Sequence, residues 1–199
     1  MKILLIGAAG TIGSAVDQAL SQRHDVIRIG RSSGEFQVDI SDSASIRRLF
    51  EQTGRFDALV CAAGNVTFAP LGDMTEQHFA LGLQDKLMGQ VNLLLIGREF
   101  ANDGASFTFT SGVLSHDPIR SGASAALVNG ALDSFVRAAA IELPRGLRVN
   151  SVSPTVLEEA MGSYAPYFRG FKPVLAADVA LAYAKSVEGL QTGQTYHVG

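Results

Sequence analysis

The residues of this chain with a capacity for chemistry begin with three glycines. Gly7, Gly10 and Gly13 stand in KILLIGAAGTIG, with Ala9, Thr11 and Ile12 among them, directly behind the apolar run Ile3–Ile6. An unbroken apolar run reads as a strand buried on both faces. After Gly13 the residues Ala15, Val16, Ala19 and Leu20 recur at helical spacing. In that strand–turn–helix setting Gly7 allows a tight turn, Gly10 lets the backbone approach a pyrophosphate, and Gly13 lets the helix pack closely on the sheet. The pyrophosphate would meet free N–H groups at the positive end of the first helix. A glycine turn in an unrelated α/β domain is the competing reading.

A second group follows the next strand, Asp25–Gly30 (DVIRIG). A site for NAD(H) would place an acid at position 30 to bind the ribose 2′-hydroxyl, but the residue is Gly30, followed by Arg31, Ser32 and Ser33. A guanidinium flanked by hydroxyls suits a 2′-phosphate, which points to NADP(H) rather than NAD(H). The competing readings are a solvated surface arginine and interference from Glu35, the nearest acid.

The elements that must position these groups alternate along the chain. Phe36–Ile40 reads as a short strand ending in Asp39, and a helix runs through Ser41–Gly54. Asp57–Ala62 is a buried strand closing in Ala63-Gly64-Asn65. Asp73 and Glu76 form a capping-box pattern that opens a long helix with apolar positions Leu83, Leu87, Val91, Leu94 and Leu95. Ala105–Thr110 is a strand leading to Ser111-Gly112, Gly122–Leu143 an Ala-rich helix, Leu147–Val152 a strand ending at Pro154, Asp178–Val187 a helix and Gln194–Val198 a last strand. Strands alternating with helices, without hairpins, predict an α/β, Rossmann-type, doubly wound parallel sheet with helices on both faces. At 199 residues this is one domain.

Composition excludes several function classes. A net charge of −3 gives no basis for binding nucleic acid or an anionic membrane. Cys61 is the only cysteine, and His24, His78, His116 and His197 are scattered, so no metal-ligand spacing exists. Thr110-Ser111-Gly112 lacks the leading glycine of a nucleophile elbow. No apolar stretch is long enough to span a bilayer, and the expectation is a soluble, cytoplasmic protein.

Taken in order, G-A-A-G-T-I-G at Gly7–Gly13, Asp39, A-A-G-N at Ala62–Asn65, T-S-G at Thr110–Gly112, A-I-E-L-P-R-G-L-R-V-N at Ala140–Asn150, S-P-T at Ser153–Thr155 and T-G-Q-T-Y-H-V-G from Thr192 resemble the short-chain dehydrogenase/reductase family. The resemblance covers essentially the whole chain. It implies a nicotinamide cofactor and hydride transfer between carbonyl and alcohol. Carried onto these positions, it implies that Asp39 and Ile40 meet the adenine, Ala62, Ala63 and Gly64 the nucleoside, and Pro154, Thr155 and Val156 the nicotinamide carboxamide. It also implies a substrate lid around residues 155–172 and a homodimer or homotetramer through the 73–102 and 122–143 helices. The glycine spacing departs from the commonest family form at Gly10 and Thr11.

The family's Tyr-x-x-x-Lys pair is missing: Ala125 stands at the Tyr position and Asn129 at the Lys position. Lys86 falls near the position of the family's active-site Asn, so amide and ammonium have traded places. Lys86 would reach the ribose or the substrate oxygen, or else merely solvate its helix face. Ser111, offset by one from the family's catalytic Ser at Gly112, is a candidate to bond a substrate oxygen or simply to cap a strand. Ser121, Ser124, His116 and the phenols of Tyr164 and Tyr167 are further candidates to replace the lost acid, and Phe168 and Phe171 extend that aromatic stretch. Two functions remain: an NADP(H)-dependent oxidoreductase acting on a small molecule with Ser111, Lys86 and Asn129 as its catalytic set, or a catalytically silent NADP(H)-binding sensor or regulatory subunit.

Overall fold

A computed structural model describes all of residues 1–199. The order is β1 (Lys2–Ile6), α1 (Thr11–Leu20), β2 (Asp25–Gly30), β3 (Phe36–Gln37), α2 (Ser43–Thr53), β4 (Phe56–Cys61), α3 (Glu76–Gly82), a π-helical turn (Leu83–Leu87) and α4 (Met88–Gly97). It continues with β5 (Ala101–Thr110), α5 (Ala123–Ala140), β6 (Arg148–Pro154), the short α6 (Met161–Tyr164), α7 (Ala176–Glu188) and β7 (Thr195–Val198). The seven strands form one sheet in the order β3-β2-β1-β4-β5-β6-β7, and every pairing is parallel. The order reverses between β1 and β4, and their C-terminal ends open the crevice where such sheets bind ligands.

Two apolar layers sandwich the sheet. On one face Leu4, Ile6, Leu59 and Phe107 pack under α2, α4 and α5 through Phe50, Leu93 and Leu132. On the other, Ile3, Leu5 and Val60 meet Val16 and Leu20 of α1 and Val179 and Tyr183 of α7. Strands covered on both sides carry unbroken apolar runs for this reason.

Several local expectations are corrected. The strand expected over Phe36–Ile40 pairs only through Phe36 and Gln37, because Asp39 turns away to accept hydrogen bonds from Ser41. The capping box belongs to Thr75 and His78, not to Asp73 and Glu76. Asp73 instead closes a separate turn, Leu71–Asp73. The long helix expected across residues 73–102 is interrupted by the π turn and ends at Gly97. A π turn inserts one residue and rotates everything after it. The buried face therefore runs through Gly82, Asp85, Gly89, Gln90 and Leu93, leaving Leu83 36% and Leu95 40% exposed although both belong to the expected apolar stripe.

At the β1–α1 turn, Gly7 has φ +86, and a Cβ on Gly13 would lie 2.0 Å from the Gly7 carbonyl oxygen. Gly13→Ala must displace that backbone, and overpacking of this kind costs roughly 1–3 kcal/mol. Denaturant titration should read a loss of that size. A Cβ at Gly10 meets the Gly7 carbonyl oxygen only at 3.4 Å, so Gly10→Ala should leave the midpoint nearly unchanged.

Candidate active site

The site lies on the C-terminal edge of the sheet. The N-terminus of α1 faces this edge, with Gly10 as an N-cap that offers no side chain to the first N–H groups. Those groups are an anion site by geometry and dipole. Beside them Gly30, Val38, Ile40, Gly64, Asn65 and Asp85 surround a cavity of about 140 Å³ that Arg31 also borders. Two apolar side chains facing bare glycine backbone make a slot suited to a flat base. Glycine turn, slot and guanidinium together fit a dinucleotide.

Arg31 is 59% exposed and pairs with Asp39 at 3.2 Å and Asp85 at 3.7 Å. Asp39 is held below the usual carboxylate range, chiefly by hydrogen bonds from the Ser41 side chain and backbone and secondarily by Arg31. Glu35 does not face the Arg31 guanidinium. It accepts the Arg28 N–H at 3.1 Å, and Arg28 is itself bonded to Asp17 at 2.8 Å. Ser32 is exposed next to Arg31.

Lys86 occupies the π turn. Its aliphatic stem crosses Gly64 so closely that a Cβ there would lie 2.8 Å from the Lys86 Cβ and Cγ. Its Nζ donates to the Ser111 carbonyl at 3.2 Å. Burial pushes its pKa down to about 8, with Cys61 and then Asp133 opposing the shift. Gln90, one turn on, donates to the carbonyls of Lys86 and Thr110 at 3.0 and 3.2 Å and accepts the Thr110 N–H at 2.8 Å. The amide thus clamps the π turn to the end of β5. Asn129 approaches from α5 and donates to the Gly112 carbonyl at 3.4 Å. The Lys86 ammonium and the Asn129 amide therefore address consecutive carbonyls, one from the π turn and one from α5. The Asn129 Oδ1 is buried and has no partner.

The remaining candidates separate. Ser111 is buried and its Oγ faces the Val152 carbonyl at 3.5 Å. Ala125 is 3% exposed, enclosed with Leu114, Val156 and Phe168. Ser124 does not enter that space: its Oγ lies 3.1 Å from where a Cβ on Gly82 would be. Nor do the phenols of Tyr164 and Tyr167, 39% and 54% exposed, because Phe168 has filled it. His116 stacks edge-on against His197 with ring centroids 4.7 Å apart. Pro154 ends β6, the Thr155 N–H donates to the Val198 carbonyl at 2.9 Å, and the Val156 carbonyl accepts from Val174 at 3.1 Å. That last bond, with the Leu157–Val174 bridge, pinches the base of the segment carrying α6.

Asp85 is a residue of the site that sequence reasoning missed. It is 5% exposed and accepts a 2.7 Å hydrogen bond from Asn65. Its i−3 and i+4 neighbours, Gly82 and Gly89, form a small-residue stripe that could have marked this face as buried.

A family model described as enoyl-(acyl carrier protein) reductase matches residues 9–192. The crystal structure of the protein lin1944 from Listeria innocua superposes with a TM-score of 0.99 at 52% identity, each chain covered completely. The crystal structure of a small-chain dehydrogenase in complex with NADPH superposes at 0.87 with 26% identity, covering 100% of this chain and 96% of the other. Carbonyl reductase [NADPH] 2 of Sus scrofa is 27% identical over 180 residues, 81% of this chain and 74% of the relative.

Titration of the cofactor fluorescence should show that Arg31→Ala weakens NADPH about tenfold or more while changing NADH little, because a guanidinium–phosphate contact carries roughly 1.5–3 kcal/mol. Glu35→Gln should leave both affinities unchanged.

Proposed function

Since the chain belongs to the short-chain dehydrogenase/reductase family, we propose that it is an NADP(H)-dependent reductase of a small carbonyl substrate, working with an exchanged catalytic pair. The observation that carries this reading is the Lys86 ammonium, held on the Ser111 carbonyl beside the crevice. The nicotinamide, when bound, supplies or takes up the hydride. The backbone turn at Gly7, Ala9, Gly10, Thr11, Ile12 and Gly13 holds the pyrophosphate, and Arg31 and Ser32 hold the 2′-phosphate. Asp39, Ile40, Ala62, Ala63 and Gly64 border the adenosine, while Pro154, Thr155 and Val156 orient the carboxamide. Lys86, with a pKa near 8, polarises the substrate oxygen and gives it a proton. Asn129 fixes the Ser111–Gly112 backbone from the far side, and Ser111 offers a hydroxyl at the strand end. Residues 155–172 act as the lid. NADP(H) use is supported by the NADPH complex of the small-chain dehydrogenase and by the carbonyl reductase's name. Exposed Leu81, Leu83, Met88 and Leu127 on α3, the π turn, α4 and α5 support pairing of these helices with a second copy.

One observation favours a second reading. The space beside Ala125 is filled by apolar side chains, as expected of a silent NADP(H)-binding sensor or regulatory subunit. The two are separated by loading the protein with NADPH deuterated at C4, adding a small-molecule extract and searching for labelled metabolites by mass spectrometry. A reductase deposits label, and Lys86→Met should cut the rate about 10²-fold or more, the usual weight of a general acid. Tight NADPH binding with no label in any product establishes the silent protein.

The lowered lysine pKa sets a pH dependence. If the charged form is the donor, labelling should fall as pH rises through about 8, and Lys86→Met should lack that limb. Stability should move the other way. Between about 8 and the unperturbed 10.5 the unfolded chain holds more protons at this site, so raising the pH relieves the burial cost and favours the fold.

A further inference from the structure

A cavity of about 630 Å³ opens between residues 68–70, residues 119–121 and residues 164–169. The Ala69 N–H donates to the Ser121 carbonyl at 3.2 Å and ties the first two segments together. Ser121 itself sits at φ +64, a conformation L side chains rarely adopt. On its wall Phe68 meets Tyr164 at 6.2 Å, and behind the wall Tyr164 meets the buried Phe168 at 6.3 Å, both edge to face. The row of rings ends on the cluster that encloses Ala125. The aromatic row thus runs from the cavity wall at Phe68 and Tyr164 to the cluster around Ala125, and the cavity's size is that of a small-ligand site.

Its charge is one-sided. Arg120 and Arg169 line it, and no aspartate or glutamate does. Arg23, Arg28, Arg31, Arg47, Arg48 and Arg145 each have a carboxylate within 4 Å. Arg120 and Arg169 have neither a carboxylate nor a side-chain hydrogen bond. Two guanidiniums left unpaired at the mouth of an aromatic-walled cavity, on different segments that converge there, form a receptor for an anionic group attached to an apolar frame.

We propose that this cavity is the substrate site and that it selects small carbonyl compounds carrying an anionic group, a carboxylate or a phosphate monoester, on an aromatic or acyl frame. The assignment rests on the reductase reading for the word substrate but not for the binding. The anion sits between Arg120 and Arg169, the frame lies along Phe68 and Tyr164, and the carbonyl end faces the Phe168 side of the cavity.

Calorimetric titration of the NADPH-loaded protein tests this with 4-formylbenzoate, phenylpyruvate, octanoate and 4-formylphenyl phosphate, with the methyl esters of the three carboxylates as uncharged partners. The acids should bind about tenfold or more tightly than their esters, as expected for a charge-assisted contact. Arg120→Gln with Arg169→Gln should erase that preference, while Arg120→Lys with Arg169→Lys should keep part of it. Both positions are in exposed loops, and an unchanged melting curve verifies the fold. The order of carboxylate and phosphate affinities names the anion. Equal affinity for acids and esters, absence of binding across the panel, or a preference that survives the double glutamine variant overturns the proposal. Anion-selective binding without NADPH oxidation leaves the cavity assignment standing and removes the reductase reading.

Discussion

The contact on which the structure depends is backbone against backbone at the first turn. Gly13 of α1 lies so close to the Gly7 carbonyl that no side chain fits between them, and Gly7 in turn lies under Ala62 at the end of β4, where a Cβ would meet the Ala62 carbonyl oxygen at 2.7 Å. One glycine turn thus sits between a helix and the neighbouring strand. It sets the angle at which α1 crosses the sheet, and α1 with α7 covers one whole face of the core. It also aims the uncapped end of α1 into the crevice. Packing and ligand recognition follow from the same missing side chains, which is why close approach and anion affinity occur together at such turns.

A second constraint works at the opposite wall. The end of β5 is gripped by three side chains that carry no part of the apolar core: Gln90 on Thr110, Lys86 on Ser111 and Asn129 on Gly112. Each comes from a helix or π turn packed above the sheet. A buried amide or ammonium is expensive unless bonded, and here the carbonyls of the strand end supply the partners. The Asn129 Oδ1 is the part of this network left unsatisfied. A substrate or cofactor donor would complete it, and the residue combines structural use of its Nδ2 with an acceptor still free.

Fold class and strand count were legible in the sequence because their signals are local. Apolar runs mark Ile3–Ile6 and Leu59–Cys61 as strands buried on both faces, and Gly7, Gly13 and Gly64 mark close backbone approach. What escaped was non-local or a matter of phase. The π turn leaves no compositional mark, yet it rotates the helix and turns Asp85 inward. The capping residue was misplaced because Asp73 and Thr75 both have cap chemistry and only Thr75 adjoins the helix start. The fate of the Ala125 position depends on Phe168, far along the chain, folding back through the Leu157–Val174 pinch. No spacing rule reports that contact.

Magnitudes bear on what Lys86 could do in the proposed reaction. An ammonium with a pKa near 8 is better matched to neutral pH than an unassisted phenol with a pKa of about 10. Reaching a substrate oxygen would require Lys86 to leave the Ser111 carbonyl, and a hydrogen bond from a charged group is worth roughly 1.5–3 kcal/mol net. General acid assistance is worth about 10²–10⁴-fold, or roughly 3–5 kcal/mol. The second figure exceeds the first, so the move can be offset by the chemistry it permits. It need not be complete either, because an ammonium has three protons and can keep Ser111 while offering another. The apolar packing around Ala125 then has a physical role compatible with catalysis. In the proposed reaction it would exclude water from one flank of the site, and a drier flank would strengthen the field of the Lys86 ammonium.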